Sequence, residues 1–139
     1  MKVKLNKYLR DIGINEKNYW ILNEKVKGDP NYEEDEDGFI KAESFCLNTT
    51  LAMINYSYLC YFRDHCLRGY PLNLTFEEWK RYIDKMIEAF KLIITEEKDE
   101  ERDIKKLTKE EFKVQFKKRQ RKINSGLRLY AKYFNHLWW

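Results

Sequence analysis

Residues that form tight turns are scarce in this chain of 139 residues, which contains only 5 glycines and 2 prolines. An all-β fold needs many such turns, so the composition disfavours a sandwich or a barrel. No apolar run reaches the roughly 18 residues that a membrane-spanning helix requires. The N-terminal stretch also lacks the continuous apolar segment and the cleavage site of a signal peptide. We therefore expect no membrane partner and no export.

Recognisable catalytic motifs are also missing. The sequence has no glycine-rich dinucleotide or phosphate loop, no Gly-x-Ser-x-Gly nucleophile elbow and no His-Glu-x-x-His zinc motif. The adjacent carboxylates Glu77–Glu78 and Glu110–Glu111 fall in predicted first turns of helices, where negative charge suits the helix dipole without any catalysis. We predict no catalytic residue and no cofactor. The absence of motifs favours a protein that is not an enzyme, although it does not exclude one.

The three cysteines, Cys46, Cys60 and Cys66, are odd in number and lie among apolar residues. This pattern is typical of small buried side chains in a reducing compartment. Cys60, His65 and Cys66 are close in sequence, but positions 60 and 66 of a helix point to different sides. No Cys-x-x-Cys or His-x-x-x-His pair completes a ligand set, so we predict no metal site.

The clearest feature that is present is a helix that begins near Thr75. Thr75 and Glu78 have the spacing of a capping box, in which each side chain bonds to the other residue's backbone amide. Apolar residues then recur at helical intervals, at Trp79, Ile83, Met86, Ile87, Phe90 and Ile94. This stretch predicts a helix over residues 75–94 with one broad apolar face.

A second copy of this start signal precedes the C-terminal part of the chain. Thr108 and Glu111 repeat the spacing of the capping box, and an apolar stripe follows. Gly126 interrupts the stripe at a cost of about 1 kcal/mol relative to alanine. Either the helix breaks there into 108–124 and 126–138, or the glycine lets another helix approach closely.

Residues 39–67 predict a long helix, because two apolar stripes run along them at helical spacing. One stripe comprises Leu47, Leu51, Ile54, Tyr58, Tyr61 and His65, and the other comprises Ala52, Leu59, Phe62 and Cys66. A helix that is apolar over most of its circumference is normally central and buried. The link to the 75–94 helix is short, so we expect the two to be antiparallel neighbours at the centre of the fold.

The remaining segments are less regular. Residues 28–38 predict an acidic loop, and residues 95–107 are either a polar extension of the preceding helix or a linker. Residues 1–28 begin with a helical pattern, after which residues 19–27 fit a second short helix or a strand. Together these patterns predict an all-α fold, a single domain over residues 1–139 built as a helical bundle of four or five helices.

Charge is distributed unevenly along the chain. Six acids and no base occupy residues 29–37, whereas residues 105–132 carry eleven bases against two acids. The candidate ligand-binding residues come from this basic stretch: Lys117, Lys118, Arg119, Arg121, Lys122, Arg128, Tyr130 and Tyr133. The cations would contact phosphates and the two tyrosines would stack on a base. The alternative is a solvated helix face that balances the acidic segments 29–37 and 96–103 of the same molecule.

The C-terminal end is rich in aromatic residues. We expect Phe134 and Leu137 to dock into the domain's own core. Trp138 and Trp139 are the candidate partner-binding residues, because tryptophan is enriched at the energetic centre of protein interfaces.

Three blocks of sequence occur in a specific order. The first runs from Phe45 to Ala52, the second from Gly69 through Trp79 to Phe90, and the third from Gly126 to Trp138. Together they resemble a family of small uncharacterised proteins encoded by tailed bacteriophages, in which an acid usually stands where this chain has Asn48. The resemblance implies a mostly helical fold and the cytoplasm of an infected bacterial host. It implies no activity, because the family has none assigned.

From these observations we expect a phage accessory protein that binds rather than catalyses, and that blocks or sequesters a host component. The component is either a host protein, such as a defence effector, or an anionic nucleotide signal. The alternatives are non-specific nucleic-acid binding by the basic helix at residues 117–122 and a role in virion assembly. A homo-oligomer is compatible with each. No groove-reading motif is recognisable, so we do not expect sequence-specific recognition of DNA.

Overall fold

The fold is all-α, as the sequence predicts. The computed structural model describes residues 3–15, 28–104 and 107–138, and between residues 96 and 104 it describes only the helical backbone. Over these ranges the α-helices are α1 (Lys7–Asp11), α2 (Leu47–Tyr61), α3 (Phe76–Ile104) and α4 (Lys109–Tyr133). Short 3-10 turns at Pro30–Tyr32, Lys41–Ser44 and Phe134–His136 and a π turn at Phe62–Cys66 complete the described elements. Within the same ranges no helix has the length and apolarity needed to cross a bilayer.

The central element is α3, which packs against both α2 and α4. Its predicted capping box forms: the Glu78 amide donates to the Thr75 hydroxyl at 3.1 Å, and the Thr75 amide donates to the Glu78 carboxylate at 3.2 Å. The apolar face that follows lies in the core, with Trp79, Ile83, Met86 and Ile94 fully buried. The helix continues to Ile104, so residues 95–104 extend α3 rather than linking it to the next element.

Helices α3 and α4 form an antiparallel hairpin with very close packing. The Thr108 hydroxyl caps α4 by accepting a hydrogen bond from the Glu111 amide at 3.2 Å. The helix then runs without a break to Tyr133, so it does not divide at Gly126. A Cβ at Gly126 would clash with the Ala89 side chain and would lie 2.5 Å from the Lys85 carbonyl oxygen. Of the two sequence-based alternatives, close approach of another helix is therefore the correct one.

Helix α2 begins at Leu47, so the predicted helix over residues 39–67 is wrong over its first part. The chain before Leu47 makes a 3-10 turn at Lys41–Ser44 instead. Glu43 in this turn is tied to the N-terminus, because its carboxylate accepts a buried hydrogen bond from the Val3 amide at 2.8 Å. At its other end the helix passes into the π turn at Phe62–Cys66.

The two predicted stripes of α2 have opposite environments. The buried side of the helix carries Ala52, Met53, Tyr56, Leu59 and Cys60. Leu47, Leu51, Tyr58, Tyr61 and His65 are exposed, and Ile54 is half-buried. The expectation that this stripe is buried is therefore wrong, because α3 packs on the other side of α2. The expectation that α2 packs against the 75–94 helix is confirmed, and the buried side of α2 belongs to the main core.

The N-terminal residues lie along α2. The Asn6 side chain caps α1 by accepting from the amides of Tyr8 and Leu9, and its amide group donates to the Ser57 hydroxyl at 2.8 Å. Val3, Leu9 and Ile14 are buried and belong to the main core. The proposed second helix or strand over residues 19–27 lies outside the described residues. The acidic loop begins with the 3-10 turn at Pro30–Tyr32 and ends where Glu34 bridges to Ile40.

Candidate functional site

The candidate site is the side of α4 that faces away from α3. Ile123, Gly126 and Tyr133 are the buried residues of this helix, and they hold it against the core. Because side chains on the opposite side of the cylinder must point to solvent, five of the six predicted cations are exposed: Lys117, Lys118, Arg121, Lys122 and Arg128. The apolar residues of α4 pack against the core, and this orientation of the helix leaves these five cations on the protein surface.

Four of the exposed cations lie in one line. Lys117, Arg121, Arg128 and Lys132 are separated by four, seven and four residues, so they share one side of the helix. We call these four residues the basic stripe. Fifteen residues at about 1.5 Å each give it a length of about 22 Å. Sequence reasoning missed Lys132, although the same spacing could have identified it.

None of the four stripe cations forms an ion pair with another described residue. The ion pairs in the described ranges join Arg63 to Asp64 and Asp84, and Lys80 to Glu77. The only acids of α4 are in its first turn. The hairpin register, in which Arg119 meets Leu92, puts residues 117–122 opposite residues 89–94 of α3.

Arg119 differs from the other predicted cations because it joins α4 to α3. Its guanidinium Nη2 donates to the Leu92 carbonyl at 3.1 Å and to the Thr95 hydroxyl at 3.5 Å. The side chain is half-buried between the two helices. These bonds give Arg119 a structural role in the hairpin and remove it from the surface that a ligand would contact.

The two predicted stacking residues are also engaged within the protein. Tyr133 is only 4% exposed and meets Trp79 edge-on, with the ring centroids 5.6 Å apart. The Tyr130 hydroxyl donates to the Asn55 side chain at 2.9 Å, and its ring packs edge-on against Phe90. Burial raises the pKa of the Tyr130 phenol. Burial removes Tyr133 from any surface that a base could contact, whereas Tyr130 is half-buried and keeps part of its side chain exposed.

The C-terminal aromatic residues divide differently from the expectation. Leu137 packs against the core as expected, but Phe134 is 56% exposed and touches only the edge of the fold, where its ring meets Tyr130. The expectation that Phe134 is buried is therefore wrong. Trp138 is 74% exposed, so it is accessible to a partner. Trp139 lies outside the described residues.

A second surface was missed by the sequence reasoning because its residues were assigned to the core. Leu47, Leu51, Ile54, Tyr58 and Tyr61 form what we call the α2 apolar face. A groove of about 450 Å³ runs beside it, between α2 and the N-terminal residues 3–8. The signal that could have revealed this surface is that α2 has two apolar stripes, of which a single neighbouring layer can cover only one.

Reactive groups do not converge in the described part of the chain. No three or more His, Cys, Asp or Glu residues there are close enough to hold a metal ion. Burial raises the pKa of the Cys60 thiol, which disfavours a thiolate nucleophile at neutral pH. The hydrogen bond from Arg63 lowers the pKa of Asp64, which also accepts from the Tyr8 hydroxyl at 3.0 Å. This last cluster joins α1 to the end of α2 and has the character of a structural contact.

Comparisons with protein-family models, with curated proteins and with solved structures found no match to this chain.

Proposed function

We propose that the protein is a non-catalytic binding protein that engages nucleic acid through the basic stripe of α4. The observation that carries the proposal is a line of four exposed cations, about 22 Å long, with no ion-pair partner among the described residues. Phosphate groups of a nucleic-acid strand would supply the missing negative charge and release bound counterions. The resemblance to phage proteins adds the setting, which is an infected bacterial cell.

The shape of the stripe favours a polymer over a free nucleotide. A single nucleotide is bound by groups that converge in a concave pocket. The stripe instead lies along one convex helix, and its cations are spread along the helix axis. Tyr133 is buried and Tyr130 is half-buried with its hydroxyl bonded to Asn55, so the proposal does not rely on stacking of bases on these rings. The contacts are therefore to phosphates, and binding is insensitive to sequence.

Fluorescence anisotropy with a labelled duplex of about 20 base pairs tests this proposal. Four phosphate contacts predict a log–log slope of affinity against salt of about −3.6, with dissociation constants near 1–100 µM at physiological salt. Arg121→Gln with Arg128→Gln should reduce the slope to about −1.8. The matched control is Lys7→Gln with Lys41→Gln, which removes two exposed cations from elsewhere on the surface.

The control pair should retain nearly the full slope. Equal losses in both double variants would mean that only net charge matters, and the stripe would lose its assigned role. Binding that persists unchanged at high salt would contradict a phosphate-based contact altogether.

Binding of a host protein is a second candidate function, which the exposure of Trp138 favours. Large aromatic side chains with accessible surface are typical anchors of protein interfaces. An affinity pull-down from bacterial lysate, followed by native mass spectrometry, should then yield a stoichiometric partner that Trp138→Ala loses. Tyr70→Ala is the control, because Tyr70 is also exposed but lies before α3. Equal recovery with both variants would count against this candidate.

A further inference from the structure

The α2 apolar face is a large exposed hydrophobic surface on a regular helix. The side chains of Leu47, Leu51, Tyr58 and Tyr61 are between 48% and 70% exposed. On the other side of the same helix, Met53 and Leu59 are buried against the core. A helix that is apolar on both sides is normally covered on both. Within the described ranges, only the side of α2 that carries Met53 and Leu59 is covered.

The composition of α2 supports an interface at this surface. No charged residue occurs in the 19 positions from Ser44 to Phe62, although charged residues make up 36% of the chain. A helix side that faces water permanently usually carries charges, whereas the centre of a protein interface is depleted of them. An uncharged surface can also meet its own copy without repulsion between like charges.

The spacing of the face matches the seam between two paired helices. Its members follow one another at intervals of four, three, four and three residues. This average of 3.5 is the repeat that keeps apolar side chains facing a second helix, where each inserts between side chains of the partner. The seam extends over about 21 Å, or nearly four turns.

We infer that the α2 apolar face pairs with the same face of a second copy of this chain, with the two α2 helices antiparallel. The face is self-complementary about Ile54 in this orientation. Leu47 of one copy then lies opposite Tyr61 of the other, and Leu51 lies opposite Tyr58. Each large ring meets a smaller aliphatic side chain, as close packing requires. A parallel pair would instead set tyrosine against tyrosine and leucine against leucine.

The area of the face sets the strength of this association. With aromatic side chains contributing about 150–250 Å² each when fully buried and leucines somewhat less, the exposed parts of Leu47, Leu51, Tyr58 and Tyr61 sum to roughly 450 Å² per copy. The two copies together bury about 900 Å², which is below the roughly 1,200 Å² at which stable specific interfaces begin and falls among weak, transient ones. The dimer is therefore weak, with a dissociation constant in the micromolar range, and it is independent of nucleic-acid binding by α4.

Sedimentation velocity between about 5 and about 200 µM tests the dimer. The wild-type protein should shift from monomer to dimer across this range, and Leu51→Glu should weaken the association at least about 30-fold by placing an unpaired charge at the centre of the seam. Leu72→Glu is the matched control, because Leu72 is fully exposed but lies in the link before α3. A wild-type protein that stays monomeric overturns the inference, as does a Leu51→Glu variant that dimerises normally.

Disulfide formation tests the antiparallel orientation separately. Ile54→Cys places a thiol near the two-fold axis, so mild oxidation should link two copies of this variant. The native Cys46 is exposed just before α2, and in the antiparallel pair its two copies are about 24 Å apart, too far for a disulfide. The wild-type protein should therefore not form a covalent dimer. A Cys46-linked dimer, or no link in Ile54→Cys, overturns this geometry.

Discussion

The close packing at Gly126 predicts a specific loss of stability on substitution by alanine. An added Cβ would lie 2.5 Å from the Lys85 carbonyl oxygen and even closer to the Ala89 side chain. The first neighbour belongs to the backbone of α3, and the second is a methyl group that has no rotamer to change. Neither can move aside, so α3 and α4 must separate by roughly 1 Å to restore ordinary contact distances.

The expected loss is the difference between two opposing effects. Overpacking a rigid contact costs about 1–3 kcal/mol, and the involvement of backbone places this site near the upper end. Replacing glycine inside a helix with alanine returns about 1 kcal/mol through helix propensity. We therefore expect Gly126→Ala to lower the free energy of unfolding by about 2 kcal/mol, and the melting temperature by about 7 °C for a domain of this size.

Urea denaturation followed by circular dichroism measures this change. Gly69→Ala is the matched control, because nothing lies within 4 Å of a Cβ at that position. The control should leave the free energy of unfolding unchanged or raise it by up to about 1 kcal/mol, because alanine lowers the conformational entropy of the unfolded chain. If Gly126→Ala proved as stable as the wild type or more stable, propensity would dominate and the close approach of the two helices would be refuted.

Two further substitutions test local contacts. Thr75→Ala should lower the free energy of unfolding by about 1 kcal/mol, because the Glu78 amide loses its cap; an unchanged urea midpoint would contradict this. Asp64→Asn should cost less than about 1 kcal/mol at pH 7, because the carboxylate is partly exposed and the contribution is screened. The Arg63 hydrogen bond lowers the pKa of Asp64 in the folded state, so this contribution is complete above the ordinary carboxyl pKa and is lost as the pH falls below it, through the lowered pKa of Asp64. A stability difference between wild type and Asp64→Asn that does not shrink as the pH is lowered past the ordinary carboxyl pKa would contradict the assignment.

Local signals in the sequence identify the helix starts well. The capping box at Thr75 and Glu78 forms with both of its hydrogen bonds, and Thr108 caps α4 as its spacing predicts. These helix starts can be predicted from the sequence because each cap involves residues only three positions apart and does not depend on contacts with distant residues. The buried side of α3 can also be predicted from the sequence, because a helix with a single broad apolar face has only one orientation that places this face in the core.

The environment of α2 could not be predicted in the same way. Its two stripes satisfy helical periodicity equally well, and the choice between them depends on which side α3 occupies. That choice is made by contacts between residues far apart in sequence, such as Asn55 with Tyr130. Likewise, the turn that precedes α2 contains Glu43, whose hydrogen-bond partner Val3 lies 40 positions away.

In the candidate site, too, some features could be predicted from nearby residues, whereas others depend on contacts between residues far apart in the sequence. The exposure of Lys117 and Arg121 follows from the pattern of apolar residues around them on α4. The burial of Tyr133 and the role of Arg119 depend on the register of α4 against α3, which brings them to Trp79 and Leu92. A basic or aromatic residue that looks like a ligand-binding residue in the sequence can thus make its contacts inside the fold instead.

The order of the helices along the chain has a consequence for synthesis. Because the ribosome makes the N-terminal part first, α2 emerges before the α3–α4 hairpin that buries Met53 and Leu59 has been made. The nascent chain therefore displays both apolar sides of α2, which is the kind of segment that chaperones hold. The hairpin itself joins neighbouring elements and needs little loop closure, so it forms quickly once it is complete. Met53 and Leu59 can therefore be buried only after the residues of the hairpin have been made.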